Sequence, residues 1–138
     1  MNAVCHERFE LQSLFGKKMT GCFDGGAISS DGGRLLLREL DLRYQVTELM
    51  TCSLQDCRSA NRVHHALEKL IKQRVYGIAL GYEDANDHDR LRFDPALKAA
   101  CGTLPTSGRD LASQPTLSRL ENQVTAKELI RLSRSLFA

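Results

Sequence analysis

Apolar residues recur at three- and four-residue intervals through most of the chain after residue 33, and that period predicts helices. Leu36, Leu37, Leu40 and Tyr44 fall on one side of a helix running from Arg34 to Tyr44, with Arg38, Asp41 and Arg43 mostly elsewhere, and Val46, Leu49 and Met50 add a further turn or two. The strongest signal spans Ser59 to Leu80, where Val63, Ala66, Leu67, Leu70, Ile71, Val75 and Ile78 form one stripe on what should be the longest rod. Glu68 and Lys72 stand there in the favourable i, i+4 order, and Gly81 is placed as a left-handed C-cap. Gly77, inside that helix, costs about 1 kcal/mol relative to alanine and implies close approach by a neighbouring backbone.

Farther on, Asp94-Pro95 is an N-cap followed by a first-turn proline, opening a short helix that Gly102 closes. Pro105 and Gly108 mark a linker. Ser113 or Gln114 then caps a helix with Pro115 in its first turn; Leu117, Leu120 and Val124 face inward, and Ser118, Arg119 and Asn122 face outward. Thr125-Ala126-Lys127-Glu128 is a capping box for a last helix carrying Leu129, Ile130, Leu132, Leu136 and Phe137. No glycine or proline stops it, so the pattern looks cut rather than finished.

The first 20 residues show little periodicity and read as a loose lead-in with a turn at Gly16-Lys17-Lys18. From Cys22 to Gly33 a short strand-like run is joined to two Asp-Gly-Gly turns, with Ser30 or Asp31 as the cap of the helix that follows. The expected fold is therefore mainly α: a helical domain over residues 21–102 with a β-turn or strand segment near residues 20–30, then a linker and a helix-turn-helix-like part over residues 103–138.

At 138 residues and 42% hydrophobic content the chain supports one modest domain. It has no membrane-length apolar run and no signal-peptide order at MNAVCHERFE, which points to a cytoplasmic protein with no membrane partner. Five scattered cysteines (Cys5, Cys22, Cys52, Cys57, Cys101) then read as reduced thiols. Cys52 and Cys57 with His64 and His65 resemble a zinc set only loosely: the spacing is unusual, and adjacent histidines on a helix point about 100° apart.

A net charge of +2 excludes a strongly basic chain, yet Arg58, Arg62, Lys69, Lys72 and Arg74 face a single acid, Glu68, within one segment. That segment is either a phosphate-facing surface or an ordinary solvated helix face. The same two readings apply to the helix carrying Thr116, Ser118, Arg119 and Asn122, whose short polar groups and arginine suit base edges and phosphates.

Glu83, Asp84, Asp87, Asp89 and Asp94 crowd the stretch that also holds Arg90 and Arg92. Two or three such carboxylates, Asp84, Asp87 and Asp89 for example, are what a small metal-dependent nuclease uses to hold a cation that activates water. Helix capping is the competing explanation and the preferred one: Asn86, Asp87 and Asp94 are good N-caps, first-turn acids complement helix dipoles, and Arg90 or Arg92 pairs with the others.

Three motifs in order resemble the N-terminal region of bacterial insertion-sequence transposases of the DDE type. They are Phe23-Asp24-Gly25-Gly26 with Ser29-Ser30-Asp31-Gly32-Gly33 leading into Leu35 to Glu39, the run from Gln73 to Arg92 with Asp94-Pro95, and Leu111 to Asn122. The resemblance implies a helical region that binds the terminal inverted repeats of a mobile element. It also implies an RNase H-like core, in which two aspartates and a glutamate hold a divalent metal such as magnesium, lying beyond residue 138. No catalytic residue and no cofactor is expected within this chain. The DNA-binding candidates are Arg58, Arg62, Lys69, Lys72, Arg74, Thr116, Ser118, Arg119 and Asn122. The alternative role is a helical interaction module that self-associates or pairs with a full-length transposase.

Overall fold

The computed structural model describes residues 8–22, 32–59, 61 and 63–137. Its first element is a hairpin where a loose lead-in was expected: β1 (Arg8–Leu14) runs antiparallel to β2 (Lys17–Cys22), with Arg8 opposite Cys22 and Leu11 opposite Met19. Phe9 and Leu11 alternate with Glu10 and Gln12, a two-residue period too short-lived to stand out from the surrounding polar sequence. The turn falls at Phe15 and Gly16, both at positive φ, rather than at Gly16 to Lys18. The predicted caps Ser30 and Asp31 and the first Asp-Gly-Gly turn lie outside the described residues.

Helix α1 (Gly33–Tyr44) forms where its leucines predicted it, but it does not bury them all. Leu36, Leu40 and Tyr44 are exposed, while Arg34 and Arg38 are the buried residues. Carboxylates and carbonyls, most of them supplied by other elements, explain the reversal. Arg34 pairs with Asp94 at 2.5 Å and lies over the Tyr82 ring; Arg38 donates to the Gln12 carbonyl of β1 at 3.1 Å and to Glu39 at 2.9 Å. Asp41, on the same side, accepts from the Thr47 amide and from the Tyr76 hydroxyl, each at 2.8 Å. Gln45, in the left-handed region, breaks the rod before α2 (Val46–Ser53).

Helix α3 (Leu67–Ala79) is the central element, and it starts at Leu67 rather than at Ser59. The carbonyls of His64 and His65, which a longer helix would have used internally, instead accept Arg109 at 3.3 Å and Arg58 at 3.0 Å, and Ala66 is extended. At the other end Gly81 adopts φ +90° as expected, and Tyr82 N–H returns to the Gly77 carbonyl at 2.9 Å. Gly77 is indeed closely approached, though by a side chain and not by a backbone: a Cβ there would meet the His88 ring at 2.8 Å.

Two apolar clusters flank α3. Tyr76 packs with Leu97, Ala100, Cys101 and Leu111, joining α5 (Pro95–Ala100) and the segment after it to α3. Leu70 packs with Ala112 and Leu117, joining α6 (Gln114–Gln123). The predicted start of α5 is present, with Asp94 accepting from Leu97 N–H at 2.7 Å, and Gly102 closes it at φ +70°. Between α3 and α5 lie a 3-10 turn (Ala85–Asp87) and the single-turn α4 (His88–Leu91). Finally α7 (Ala126–Phe137) opens on the predicted capping box and rests on α2, where Ser53 and Ser135 share a 2.8 Å hydrogen bond. Mainly α is thus the correct class, with the strand content at 8–22. Among the described residues no helix is long and apolar enough to cross a membrane.

Candidate nucleic-acid interface

The position of α6 is set by a buried amide. Gln73 breaks the apolar stripe of α3 between Leu70 and Gly77 and is 1% exposed. Its carbonyl oxygen accepts Ala112 N–H at 2.9 Å while its Nε2 donates to the Ala112 carbonyl at 2.8 Å, so one side chain satisfies both backbone polar groups of the residue two before α6. Nε2 also lies 3.2 Å from His88 Nδ1. Burial, followed by the Arg74 charge, holds the His88 imidazole below its usual range.

A carboxylate secures the first turn of α6: Asp89 accepts Gln114 N–H at 3.0 Å, satisfying a donor that has no partner inside the helix. Leu117 is fully buried beneath, and Leu120 is half-buried. Arg119 and Asn122 consequently lie on the exposed side of α6. Thr116 and Ser118 are half-buried and occupied, Thr116 with Ser113 at 3.4 Å and Ser118 with Gln114 at 3.0 Å.

Each described member of the basic cluster has an internal partner. Arg58 grips Asp56 through Nε at 2.7 Å and Nη2 at 2.6 Å, and each charge shifts its partner: the carboxyl is lowered and the guanidinium raised. Lys69 donates to Thr103 at 3.2 Å, Lys72 pairs with Glu68, and Arg74 pairs with Glu121 while donating to the carbonyls of Tyr82 and Glu83. Arg62 lies outside the described residues.

The acidic stretch resolves into separate structural roles. Asp84 caps the 3-10 turn through Asn86 N–H at 2.9 Å, Asp89 secures α6, and Asp94 caps α5 while neutralising Arg34. Asp87 occupies the N-cap position of α4 without a side-chain cap bond. The arginine partner of Asp94 comes from α1, not from the neighbouring Arg90 or Arg92, because the chain reversal after α1 carries Arg34 against α5. Among the described residues no three acids, histidines or cysteines converge as a metal site would require, and Cys52 and Cys57 are exposed. Cys101 is buried, which pushes its thiol up to about 12.

A cleft of about 500 Å³ opens beside α6, and Arg58, His64, His65, Thr116, Arg119 and Gln123 line it. Here His64 and His65, weighed in the sequence only as zinc ligands, take a place beside Arg119. Burial first, then the charges of Arg109, His64, Lys69 and Arg58, hold His65 below the ordinary imidazole value. No sequence period signals this cleft, since it depends on a non-helical turn. Gln73 did leave a trace, as a polar residue at a stripe position.

No curated protein and no solved structure matches this chain. A family model does, that of the transposase DDE domain group 1, over residues 11–138. The match takes in most of the hairpin, the α3 and acidic-stretch motif and all of α6 and α7, so the chain belongs to the DDE group 1 transposase family.

Proposed function

We propose that this chain is a DNA-facing, non-catalytic region of an insertion-sequence transposase, with α6 as the helix that meets the duplex. One observation carries the reading. Helix α6 is fixed from below by Gln73, Asp89 and Leu117, and it holds Arg119 and Asn122 exposed, with no hydrogen bond or ion pair to another described residue. A rigid helix presenting a free guanidinium and a carboxamide suits contact with phosphates and base edges. The basic side chains of Arg58, Lys69, Lys72 and Arg74 act mainly in holding that helix and its surroundings in place. Catalytic work is assigned to none of these residues; in the family a divalent metal such as magnesium serves the core.

Electrophoretic shifts with duplexes bearing the element's terminal repeats, compared with random duplex, test the proposal. Repeat-containing duplex should bind more tightly, and Arg119→Ala should weaken binding by about tenfold and reduce the salt slope by about 1. Equal binding of both duplexes at moderate salt would refute specific recognition.

A second reading, pairing with another copy or with a longer transposase, draws on α7. Its Leu129, Ile130, Leu136 and Phe137 are exposed on one side, while Ser135 meets Ser53 of α2 and Glu128 accepts the Gln55 amide just after it. Sedimentation across a concentration series reads this directly, and a monomer throughout would remove self-association.

A further inference from the structure

We propose that the cleft lined by Arg58, His64 and His65 on one side and by α6 on the other seats one phosphate group of the DNA backbone, with the His65 imidazole in its wall. This rests on the DNA-binding reading and goes beyond it by assigning a backbone contact and a proton linkage to residues off the recognition helix.

The charges around the cleft are unbalanced. Facing His65 are His64 and Arg58 from its own segment, Lys69 from α3, Arg109 from the linker and Arg119 from α6. Asp56 cancels the Arg58 charge and Glu68 that of Lys72, so the uncompensated cations are Lys69, Arg109 and Arg119. Lys69 and Arg109 are tied to Thr103 and to the His64 carbonyl, so they add positive potential without reaching into the opening. Arg119, without a partner among the described residues, is the fork at the rim, and Thr116 and Gln123 add neutral polar groups of the kind that complete phosphate contacts. Such a set, cationic and short of carboxylate, is complementary to an anion with several acceptor oxygens.

The His65 imidazole makes that seat sensitive to pH. Free of ligand, burial and the surrounding cations hold it below its ordinary value. An anion in the cleft offsets that repulsion and raises the imidazole's pKa, so binding takes up a proton. Duplex affinity should therefore climb as pH falls from about 8 toward 6, with about tenfold for each unit by which the anion raises the pKa as the ceiling. A lysine in the same place would give no such slope in this window.

Two measurements on the full chain test the proposal. The first follows the His64 and His65 ring signals by NMR through a pH titration with and without sodium sulfate, a phosphate mimic that does not titrate in this range, against sodium chloride at matched ionic strength. Sulfate should raise the His65 pKa; an unchanged titration curve would overturn the seat. The second compares random-duplex affinity at pH 8 and pH 6 for wild type and the His64→Gln/His65→Gln double variant. Wild type should gain affinity at the lower pH while the variant loses most of that gain, and an equal gain in both would overturn the proton linkage. If sulfate moves His65 but no duplex binds at either pH, the DNA reading fails and the backbone contact with it, while an anion seat stands.

Discussion

Replacing Gln73 with leucine tests the link between the core and α6. Leucine fills nearly the same volume, so the cavity term is small, but the Ala112 N–H and C=O both lose their partner. Ala112 is 1% exposed, so water cannot substitute at either group without opening the structure. Each orphaned buried group costs about 1–3 kcal/mol, which puts the whole effect at about 2–6 kcal/mol. A chain of this size has only about 5–15 kcal/mol in hand. Urea unfolding should show the midpoint falling by about 1 M or more at unchanged slope, and amide exchange at Gln114 to Leu117 should quicken. A loss below about 1 kcal/mol, with exchange in α6 unaltered, would refute the claim that Gln73 sets that helix.

Gly77→Ala should destabilise by about 1–2 kcal/mol, because the added methyl meets the buried His88 ring at 2.8 Å and outweighs the gain in helix propensity. In a His88→Ala background the same change should become neutral or stabilising; additive effects in the thermal or urea cycle would count against the contact. Glu128 is lowered to about 2 by the Thr125 hydroxyl, then by the Thr125 and Gln55 backbone amides. A carboxyl depressed on folding contributes stability above its unfolded value, about 4.3, and loses it as pH falls toward 2. Urea midpoints of wild type and Glu128→Gln should therefore differ near pH 6 and converge near pH 2; a gap independent of pH would mean the charge plays no part.

Local signals carried a good deal of this fold. Asp94-Pro95, Gly81, Gly102 and the Thr125 to Glu128 box mark helix ends in the sequence because a cap is a contract between residues at most a few positions apart. Leu117 and Leu120 likewise mark the inner face of α6, which leaves Arg119 and Asn122 outside by geometry alone. The acidic stretch was legible as capping, although the ring of partners was not: Asp89 serves α6 and Asp94 serves Arg34 of α1, neither of them a sequence neighbour.

Tertiary structure alone decided which face of α1 turns inward. Leu36, Leu40 and Tyr44 offered an apolar stripe, yet Asp94, Gln12 and Tyr76 converge on the Arg34, Arg38 and Asp41 side, and three sets of polar contacts placed there hold it buried. It also decided where α3 begins, since Arg58 and Arg109 capture the carbonyls that a helix from Ser59 would have needed. Hydrophobic period and capping are properties of a short run of chain, whereas the partner of a buried charge or a diverted carbonyl is chosen only when distant segments meet.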